Sequence, residues 1–561
     1  MRTYTSDFET TTDPDDCRVW AFACCTVDGR NEVTYGNSVE GFMEWCESQA
    51  PCKTYFHNLA FDGSFLMTWL LTHGWAWVDD RRKATDMTFT ALISDMNQVY
   101  NITLYFTKVM KVIIYDSLKV LPMSIEQMAK AFDLPIGKGM LDYGAYREPG
   151  HELTEEEKEY IAGDVKIAAM AVGQALDEGL TRMTAGSNAL YRYKKMGGGS
   201  KGFRRVYPVL DEDEDAFIRK AYRGGFTYAD PRFKGKRLGA GIVLDVNSLY
   251  PSVLAATDGQ LLPYGKPIWF DGAYEEDERH PLWVASVSCK LKLKEGRIPC
   301  LQIKGNWRFG ATEYITDTHG EVTICVTNVD WALIREQYDV RVVEFNGGFK
   351  FKANTSQFKS YVDEWMKVKE EATLTGNKGK RQLAKLMLNS LYGKFATRTE
   401  VVSRKPVIDE ESGVLRYVDL PPETREPVYL PVGVFVTAHA RAKTIRAAQS
   451  QYPRFLYADT DSLHLLGTDM PEGLEVDDVK LGAWAHESTF SEAKFLRAKS
   501  YAEQEVGADA LTVHVAGMPK RCHEGVTLDN FEFGAKYSGK LYTHRVKGGI
   551  VLVEGDMEIR K

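Results

Sequence analysis

Residues 455–466 read FLYADTDSLHLL, two apolar runs joined by a short acidic turn. The runs predict a β-hairpin that carries Asp459 and Asp461 at its tip. Acidic turns are common on protein surfaces, and a solvated loop is the alternative. Apolar strands on both sides favour a tip that lies beside the core of a sheet. The stretch therefore predicts two carboxylates held at a structured site.

A second apolar stretch, GIVLDVNSLYP at residues 241–251, predicts a strand that presents Asp245. We expect a turn after this strand to carry Tyr250. The strand and the acidic hairpin could share one sheet, which would bring Asp245 close to Asp461.

Between these acidic segments, residues 379–393 (GKRQLAKLMLNSLYG) predict a helix that ends at Gly393. Helical spacing places four polar side chains on one stripe: Arg381, Lys385, Asn389 and Tyr392. The opposite face, with Leu383, Met387 and Leu391 or their neighbours, should pack inward. A solvated basic face would explain the two cations but neither the amide nor the phenol. A triphosphate clamp would explain all four side chains.

The N-terminal part carries another set of carboxylates. The strand-like stretch YTSDFET at residues 4–10 places Asp7 and Glu9 on one face, roughly 6.6 Å apart. The stretch YFHNLAFDG at residues 55–63 adds Asp62 just before a turn at Gly63. A solvated strand end and an ordinary turn are the alternatives.

Residues 154–164 (TEEEKEYIAGD) predict a helix that starts with a capping box. Tyr160 and Asp164 share a face of this helix, because side chains four residues apart lie one turn apart. A surface pair is the alternative. Four carboxylates together would hold two divalent cations about 3.5 to 4 Å apart, as phosphodiester hydrolysis by two metals requires.

These motifs, in this order, resemble those of two known families. The DFET stretch, the pair Asn58 and Asp62, and the Y-x-x-x-D of residues 160–164 resemble the motifs of proofreading exonuclease domains. D-x-x-S-L-Y-P at 245–251, K-x-x-x-N-S-x-Y-G at 385–393 and Y-x-D-T-D-S at 457–462 resemble the polymerase motifs of family B DNA polymerases.

The first resemblance implies that Asp7, Glu9, Asp62 and Asp164 bind metal and that Tyr160 assists the attacking water. It also implies that a set of residues contacts the frayed primer strand: Thr10, His57, Asn58, Phe61, Phe65, Ser117, Leu118, Lys138 and Tyr143. The lysine of this set would stabilise phosphate charge, and its aromatic rings would stack on bases. Core packing is the alternative for the two phenylalanines.

The second resemblance implies that Asp245, Asp461 and the Val246 carbonyl bind metal, with Asp459 in support. Tyr250 would exclude a ribose 2′-hydroxyl. The incoming nucleotide would meet the following residues: Lys369, Arg381, Lys385, Asn389 and Tyr392. Further DNA contacts are implied in two elements, a K-x-Y with Lys499 and Tyr501 near the primer terminus and a Y-x-G-G with Tyr222, Gly224 and Gly225 that holds template.

The segments between the polymerase motifs are longer than a simple helical fingers element needs. This layout resembles that of the protein-primed polymerases of small bacteriophages and linear plasmids. This implies a multidomain α/β and α+β fold, with an RNase H-like exonuclease domain at residues 1–184 and a palm, fingers and thumb polymerase domain at 185–561. The implied parts are palm 185–256 and 431–508, insertion 1 at 257–355, fingers 356–396, insertion 2 at 397–430 and thumb 509–561.

The same resemblance implies processive, strand-displacing replication of viral DNA with two Mg²⁺ ions per active site, which Mn²⁺ could replace. The implied partners are primer-template DNA, single-stranded DNA, dNTPs and a terminal protein whose hydroxyl accepts the first nucleotide. We expect a monomer in the host cytoplasm, without membrane association.

Composition bears on these expectations in two ways. The net charge of −8, from 70 basic and 78 acidic residues, is unusual for a nucleic-acid binder, although clustered carboxylates lower a total without excluding a local basic surface. The nine cysteines include no CxxC pair, and the sequence shows no secretion signal. The apolar window at residues 64–78 is too short to cross a bilayer. These features favour a reducing cytoplasm. We interpret that window as a buried helix.

Three other functions fit the sequence less well. An exonuclease with a non-catalytic, DNA-binding polymerase-like half is disfavoured by the intact polymerase motifs. An RNA-synthesising primase-polymerase is disfavoured by Tyr250. A non-enzymatic interaction protein would leave two sets of carboxylates unexplained.

Overall fold

The computed structural model describes residues 1–137, 139, 141–142, 144–310 and 312–561. Two of the expected DNA contacts, Lys138 and Tyr143, lie outside the described residues.

Residues 1–180 alternate strands with helices. The strands are β1 (Arg2–Thr10), β2 (Val19–Thr26), β3 (Val33–Gly36), β4 (Cys52–Phe56), β5 (Ala76–Trp77), β6 (Thr88–Ser94), β7 (Val99–Tyr105) and β8 (Lys111–Asp116). The helices are α1 (Val39–Gln49), α2 (Leu59–Thr72), α3 (Ile125–Ala131) and α4 (Glu155–Asp177). Strand β4 pairs in parallel with β1 and β8, while α4 packs on β1 and β2 and α2 packs on β7. The α/β layering predicted for this part is confirmed.

Residues 185–254 contain four helices and two strands. They form α5 (Ala185–Met196), α6 (Gly199–Val206), α7 (Glu212–Arg219), β9 (Thr227–Ala229), β10 (Gly241–Val246) and α8 (Leu249–Leu254). The glycine run at 196–200 separates α5 from α6, because Gly198 and Gly199 have φ angles of 82° and 77° that a continuous helix does not permit.

Residues 262–450 contain a β-rich segment, a long helical pair, two short antiparallel strand pairs and a long helix. The β-rich segment comprises β11 (Leu262–Phe270), β12 (Leu282–Leu293), β13 (Val322–Thr327), α9 (Asn328–Gln337) and β14 (Tyr338–Asn354). The helical pair is α10 (Lys359–Leu374) and α11 (Lys378–Phe395). After it come β15 (Glu400–Val401), β16 (Ser403–Ile408), β17 (Leu415–Asp419), β18 (Glu423–Thr424) and α12 (Leu430–Ser450).

The C-terminal part is built from strands. They are β19 (Phe455–Asp459), β20 (Ser462–Leu466), β21 (Trp484–Arg497), β22 (Ser500–Glu505), β23 (Thr512–Val515), β24 (Lys536–Val546) and β25 (Gly549–Glu558). The hairpin predicted at 455–466 is confirmed as β19 and β20, and β24 and β25 form a second hairpin.

Two large sheets position the acidic segments. The first runs β17-β16-β6-β7-β8-β4-β1-β2-β3, so strands from residues 403–419 extend the N-terminal sheet. The second runs β23-β22-β21-β10-β20-β19-β9 and places β10 beside the β19–β20 hairpin. A third sheet, β11-β14-β12-β13, forms the core of the segment 262–354. Buried side chains of α10, α11 and α12 pack in one hydrophobic cluster with those of the second and third sheets.

Three local predictions were wrong, each because packing overrides a local signal. Gly63 lies inside α2 rather than in a turn, since the helix starts at Leu59 after Asn58 takes a left-handed φ of 72°. Tyr250 lies on the short helix α8 rather than in a turn. Helix α11 continues past Gly393 to Phe395, whose ring is buried among other aromatic rings.

The apolar window at 64–78 is helical only as far as Thr72 and then passes into β5. Within the described residues, no helix combines the length and apolar character needed to cross a membrane. All nine cysteines are described, and each has a buried, unpaired thiol.

Candidate active sites

The N-terminal carboxylates lie where β1, α2 and α4 meet. β1 carries Asp7 and Glu9, the first turn of α2 carries Asp62, and α4 carries Asp164. The last three are buried, while Asp7 is half-buried. A cleft of about 1010 Å³ opens over Asp7, Asp62 and Asp164.

The carboxylates in this cleft repel one another. Burial, together with the negative charges of Asp7 and Glu9, raises the pKa of Asp62 well above its ordinary value. In the described part of the chain, no group of three or more His, Cys, Asp or Glu side chains is arranged so that it could already hold a metal ion. Oxygen donors that repel one another nevertheless fit hard divalent cations, which neutralise such charges.

Tyr160 lies one helical turn before Asp164, and both side chains are 6% exposed. The helix starts at the predicted capping box, in which Thr154 and Glu157 bond to each other's backbone N–H. The backbone at Gly139 covers the phenol, since a Cβ built there would lie 3.1 Å from the Tyr160 ring.

A polar network shapes the loop before α2. The backbone N–H of Asn58 and that of Leu118 donate to the buried Asp116 carboxylate at 3.1 and 2.9 Å. The Ser117 hydroxyl donates to the Phe56 carbonyl and lies 3.0 Å from Nδ1 of His57. Asp116, which sequence reasoning missed, thus holds the left-handed Asn58 in place. The available signal was its position two residues before Leu118, where an aspartate can cap a helical turn.

The expected strand contacts fall into different environments. His57, Asn58 and Phe61 line the cleft, whereas Ser117 is fully buried beneath His57. Phe65 is 2% exposed and packs against the turn of the β24–β25 hairpin, where a Cβ at Gly549 would strike its ring. The remaining described members, Thr10 and Leu118, are half-buried outside the cleft lining.

The cleft has a wall that sequence reasoning missed. The β24–β25 hairpin contributes four lining residues: Thr543, Arg545, Ile550 and Leu552. They are separated from β1 by more than 500 residues of chain, and no local pattern in the sequence associates them with the acidic motifs.

The second carboxylate site lies at the ends of β10 and the β19–β20 hairpin. Asp245 is paired across the sheet with Ser462, and the Val246 N–H donates to the Asp461 carbonyl at 2.8 Å. Burial and the Asp461 charge raise the pKa of Asp245 to about 8, and burial also raises the pKa of Asp461. Both values are raised further by the charge of Glu487, a residue that sequence reasoning missed. A divalent cation would relieve this repulsion, so the oxygen donors fit one.

Asp459 differs from its neighbour because it has several partners. The Lys499 ammonium forms an ion pair with it, and the hydroxyls of Thr227 and Tyr457 donate to it at 3.1 and 3.3 Å. Lys499 adopts a φ of 58°, and its N–H donates to the Tyr457 hydroxyl. Tyr501, the other member of the K-x-Y element, is buried and stacks on His514.

Helix α11 presents its polar stripe beside these carboxylates. Arg381, Lys385 and Asn389 are exposed, Tyr392 is half-buried, and the opposite face is buried as predicted. The positive charge of Lys385 acts on Asp245 and opposes the rise of its pKa. On α10, burial and the charges of Lys385 and Arg381 lower the pKa of Lys369, so three cations lie together.

Two aromatic rings close the space between helix and sheet. Tyr250 of α8 stacks on Tyr392 of α11 with ring centroids 4.0 Å apart and planes inclined by 23°. Burial raises the pKa of both phenols, and Tyr222 lies close enough to contribute to both shifts.

The Y-x-G-G loop rests on the acidic hairpin. The Thr460 N–H donates to the Phe226 carbonyl at 2.6 Å. A Cβ at Gly225 would lie 2.7 Å from the Thr460 side chain, whereas one at Gly224 would meet no atom within 4 Å. The loop and the tip that carries Asp459 and Asp461 therefore fit closely.

Comparison with known proteins identifies the family to which the chain belongs. Residues 48–149 and 145–478 match the sequence model of the family described as DNA polymerase type B, organellar and viral. The chain belongs to this family. It is 44% identical to the DNA polymerase of Bacillus phage B103, over 99% of both chains. The resemblance of the polymerase motifs to family B DNA polymerases is confirmed, and the chain is a DNA polymerase.

Solved structures agree along the whole length. Phi29 DNA polymerase with primer-template DNA and incoming nucleotides, from Bacillus phage phi29, matches with a TM-score of 0.92 and 41% identity over 100% of both chains. Phi29 DNA polymerase with single-stranded DNA matches equally well, with a TM-score of 0.92, 41% identity and 100% of both chains. The fold class expected from the sequence, that of a multidomain family B polymerase, is confirmed.

Proposed function

We propose that this polymerase replicates viral DNA from a DNA template and carries its own 3′→5′ proofreading exonuclease. One observation carries the proposal. The chain holds two separate groups of mutually repelling carboxylates, one beneath a cationic helix and one in a deep cleft. Nucleotide addition and strand hydrolysis each need such a group.

At the polymerase site, the chain's own residues would orient the incoming nucleotide. The cations on α10 and α11, Lys369, Arg381 and Lys385, lie together and would bind its phosphates, and Asn389 and Tyr392 follow on the same stripe. Tyr250 would lie against the sugar and exclude a 2′-hydroxyl.

The metal ligands at this site would be Asp245, Asp461 and the Val246 carbonyl. Bound Mg²⁺, or Mn²⁺ in its place, would supply charge neutralisation and activation of the attacking oxygen. Asp459 would support them through its bond to Lys499 rather than as a direct ligand.

At the exonuclease site, Asp7, Glu9, Asp62 and Asp164 would hold the same kind of ion. Tyr160 would orient the water. His57, Asn58 and Phe61 line the same cleft and would receive the end of a single strand. The roles of Lys138 and Tyr143 stay predictions from the sequence.

The comparison also supports DNA binding by the polymerase half. Phi29 DNA polymerase is known with primer-template DNA and with single-stranded DNA, and we infer that this chain binds both. Lys499 and Tyr501 would lie near the primer terminus, and Tyr222, Gly224 and Gly225 would contact the template.

The domain limits given above, with exonuclease at 1–184 and polymerase at 185–561, are also part of the proposal. So are a terminal protein as primer, processive strand displacement, a monomeric state and a location in the host cytoplasm. The phage relatives support these features. Labelled dNTP transferred covalently to a co-purifying protein would test priming, and absence of transfer with any phage-encoded protein would contradict it.

The direct test uses a 5′-labelled primer on a DNA template with Mg²⁺. We expect lengthening with dNTPs and shortening without them. Shortening under both conditions would instead favour an exonuclease with a non-catalytic polymerase-like half. Ribonucleotides offered alone should not be added, and their efficient addition would contradict the role of Tyr250.

A further inference from the structure

A histidine and a glutamate form a buried pair behind the acidic hairpin, and neither active site explains it. His464 lies on β20 and Glu503 on β22, and their side chains are 2% and 4% exposed. Nδ1 of His464 lies 2.7 Å from a carboxylate oxygen of Glu503. Among the described residues, none bonds to the other ring nitrogen, Nε2, which is buried. Glu503 therefore sets the direction in which the imidazole points.

The pair joins strands that are not neighbours in the sheet. In the second sheet, β21 and β10 lie between β22 and β20. Three strand spacings of a flat sheet would put the two backbones about 14 Å apart, farther than the two side chains and one hydrogen bond can reach. Register shifts interrupt the pairing of β21 with both of its neighbours, and such irregularities bend strands. The contact thus requires a curved sheet, and the pair links the two sides of the curve.

Three aromatic rings enclose the imidazole and connect it to the K-x-Y element. The ring centroids of Tyr457, Phe495 and Tyr501 lie 5.1, 5.5 and 5.0 Å from that of His464, with planes inclined by 70° to 78°. Tyr457 and Tyr501 also contact each other, with centroids 4.9 Å apart. Because edge-to-face packing depends on direction, the orientation of His464 affects that of both tyrosines.

Tyr457 connects this cluster to the polymerase carboxylates. Its hydroxyl donates to Asp459 at 3.3 Å and accepts the N–H of Lys499 at 2.9 Å. Lys499 has a left-handed φ of 58°, and its ammonium forms an ion pair with Asp459. A lysine keeps this backbone conformation only where surrounding contacts hold it there. The His464–Glu503 pair supports those contacts through the Tyr457 ring.

We propose that His464 and Glu503 are positioning residues that hold the K-x-Y element against the acidic hairpin and thereby keep Lys499 and Tyr501 in place at the primer terminus. The proposal rests on the proposed function, in which Lys499 and Tyr501 lie near that terminus. Because the pair is buried, it acts on DNA only through these residues.

Glu503→Gln tests the proposal, because it keeps the length and volume of the side chain and removes the charge that strengthens its bond to His464. Glu505→Gln is the matched control. Glu505 lies two residues later on β22, is half-buried, and accepts a hydrogen bond at 2.5 Å from Thr512 of β23 rather than from β20. The measurements are the KM for primer-template, the KM for dNTP and the rate of single-strand hydrolysis.

We expect Glu503→Gln to raise the KM for primer-template about fivefold, because a weaker bond loosens the K-x-Y element at the primer terminus. The KM for dNTP and the rate of single-strand hydrolysis should stay within about twofold of wild type, since the cations of α10 and α11 and the first site lie outside this cluster. Glu505→Gln should match wild type throughout.

A double variant, His464→Leu with Glu503→Val, separates positioning from stability. It replaces both partners by apolar side chains of similar volume, so no buried polar group is left unpaired and the fold is preserved. Its melting temperature should match that of wild type. The KM for primer-template should still rise about fivefold, because the bond that orients the imidazole is gone.

Equal KM values for primer-template in Glu503→Gln and Glu505→Gln would overturn the proposal. So would a wild-type KM in the double variant, because packing alone would then place the K-x-Y element. Failure of wild type and control to extend any primer would instead contradict the proposed function.

Discussion

Gly225 lies directly against the tip of the acidic hairpin, and its missing side chain is required there. A Cβ would lie 2.7 Å from Thr460, between Asp459 and Asp461. Gly225→Ala should therefore displace the tip and lower the rate of primer extension about tenfold or more, because misplacement of catalytic groups by an ångström is costly. Extension of a labelled primer at saturating dNTPs measures this.

Gly224→Ala is the matched control, because the space beside Gly224 is open within 4 Å. It should extend primers within about twofold of wild type. Equal loss in both variants would show that the loop needs glycine for flexibility rather than for the contact with Thr460.

Residue identities at the sites were predictable where chemistry restricts them. Asp245 and Asp461 follow apolar strands, and the sheet does bring the two together. Asp116 had a local signal in its spacing to the Leu118 N–H, but Glu487 was not predictable, because it acts on carboxylates far away in the chain.

Helices were predictable where a helical pattern of side chains extends over many residues. Helix α4 starts at the predicted capping box, and α11 buries the predicted face. Short elements were less predictable, since α2 and α8 begin after left-handed residues, Asn58 and Ser248, whose conformation depends on distant partners or on packing. Propensity alone does not reveal such starts.

Helix α12 carries a histidine that makes its packing sensitive to pH. Burial lowers the pKa of His439 to about 4, and its Nε2 lies 3.0 Å from the Leu261 carbonyl. The folded pKa lies below the unfolded value of about 6.5, so the unfolded chain binds the extra proton. Stability should therefore fall as the pH drops from about 6.5 to 4, by up to roughly 3 kcal/mol.

His439→Gln should flatten this part of the pH profile of the free energy of unfolding, measured by denaturant titration. His319→Gln is the control, because the His319 side chain is 82% exposed. A profile that is as steep in His439→Gln as in wild type would assign the acid sensitivity to other groups.

At the scale of the whole molecule, distant segments of the chain are joined by contacts that no sequence pattern predicts. Strand β16, from the proposed insertion 2, pairs with β6 of the N-terminal sheet, and Val414 forms a bridge with Lys547 beside the β24–β25 turn. That turn packs on Phe65, and its hairpin lines the exonuclease cleft. Partners hundreds of residues apart are set by the assembled fold, so the sequence predicted the parts but not these contacts.

Residues 402–422 can be removed without stretching the chain. Glu400 pairs with Thr424 and Val401 with Glu423, so an Asn-Gly turn could join the two short strands. This deletion should impair synthesis through a downstream duplex about tenfold more than gap filling, because it removes the segment that links the N-terminal sheet to the β24–β25 hairpin. Extension on nicked and gapped templates compares the two, and equal effects would contradict a role in displacement.

In the proposed function, two separate carboxylate sites perform two reactions. Extension and single-strand hydrolysis should be assayed in two variants, Asp461→Asn and the double variant Asp7→Ala with Glu9→Ala, beside Asp469→Asn as an exposed control. Loss of a metal ligand should lower the matching activity about a thousandfold. We expect the first variant to lose extension alone, the second to lose hydrolysis alone, and the control to keep both. Loss of both activities in either variant, with the control active, would contradict the claim.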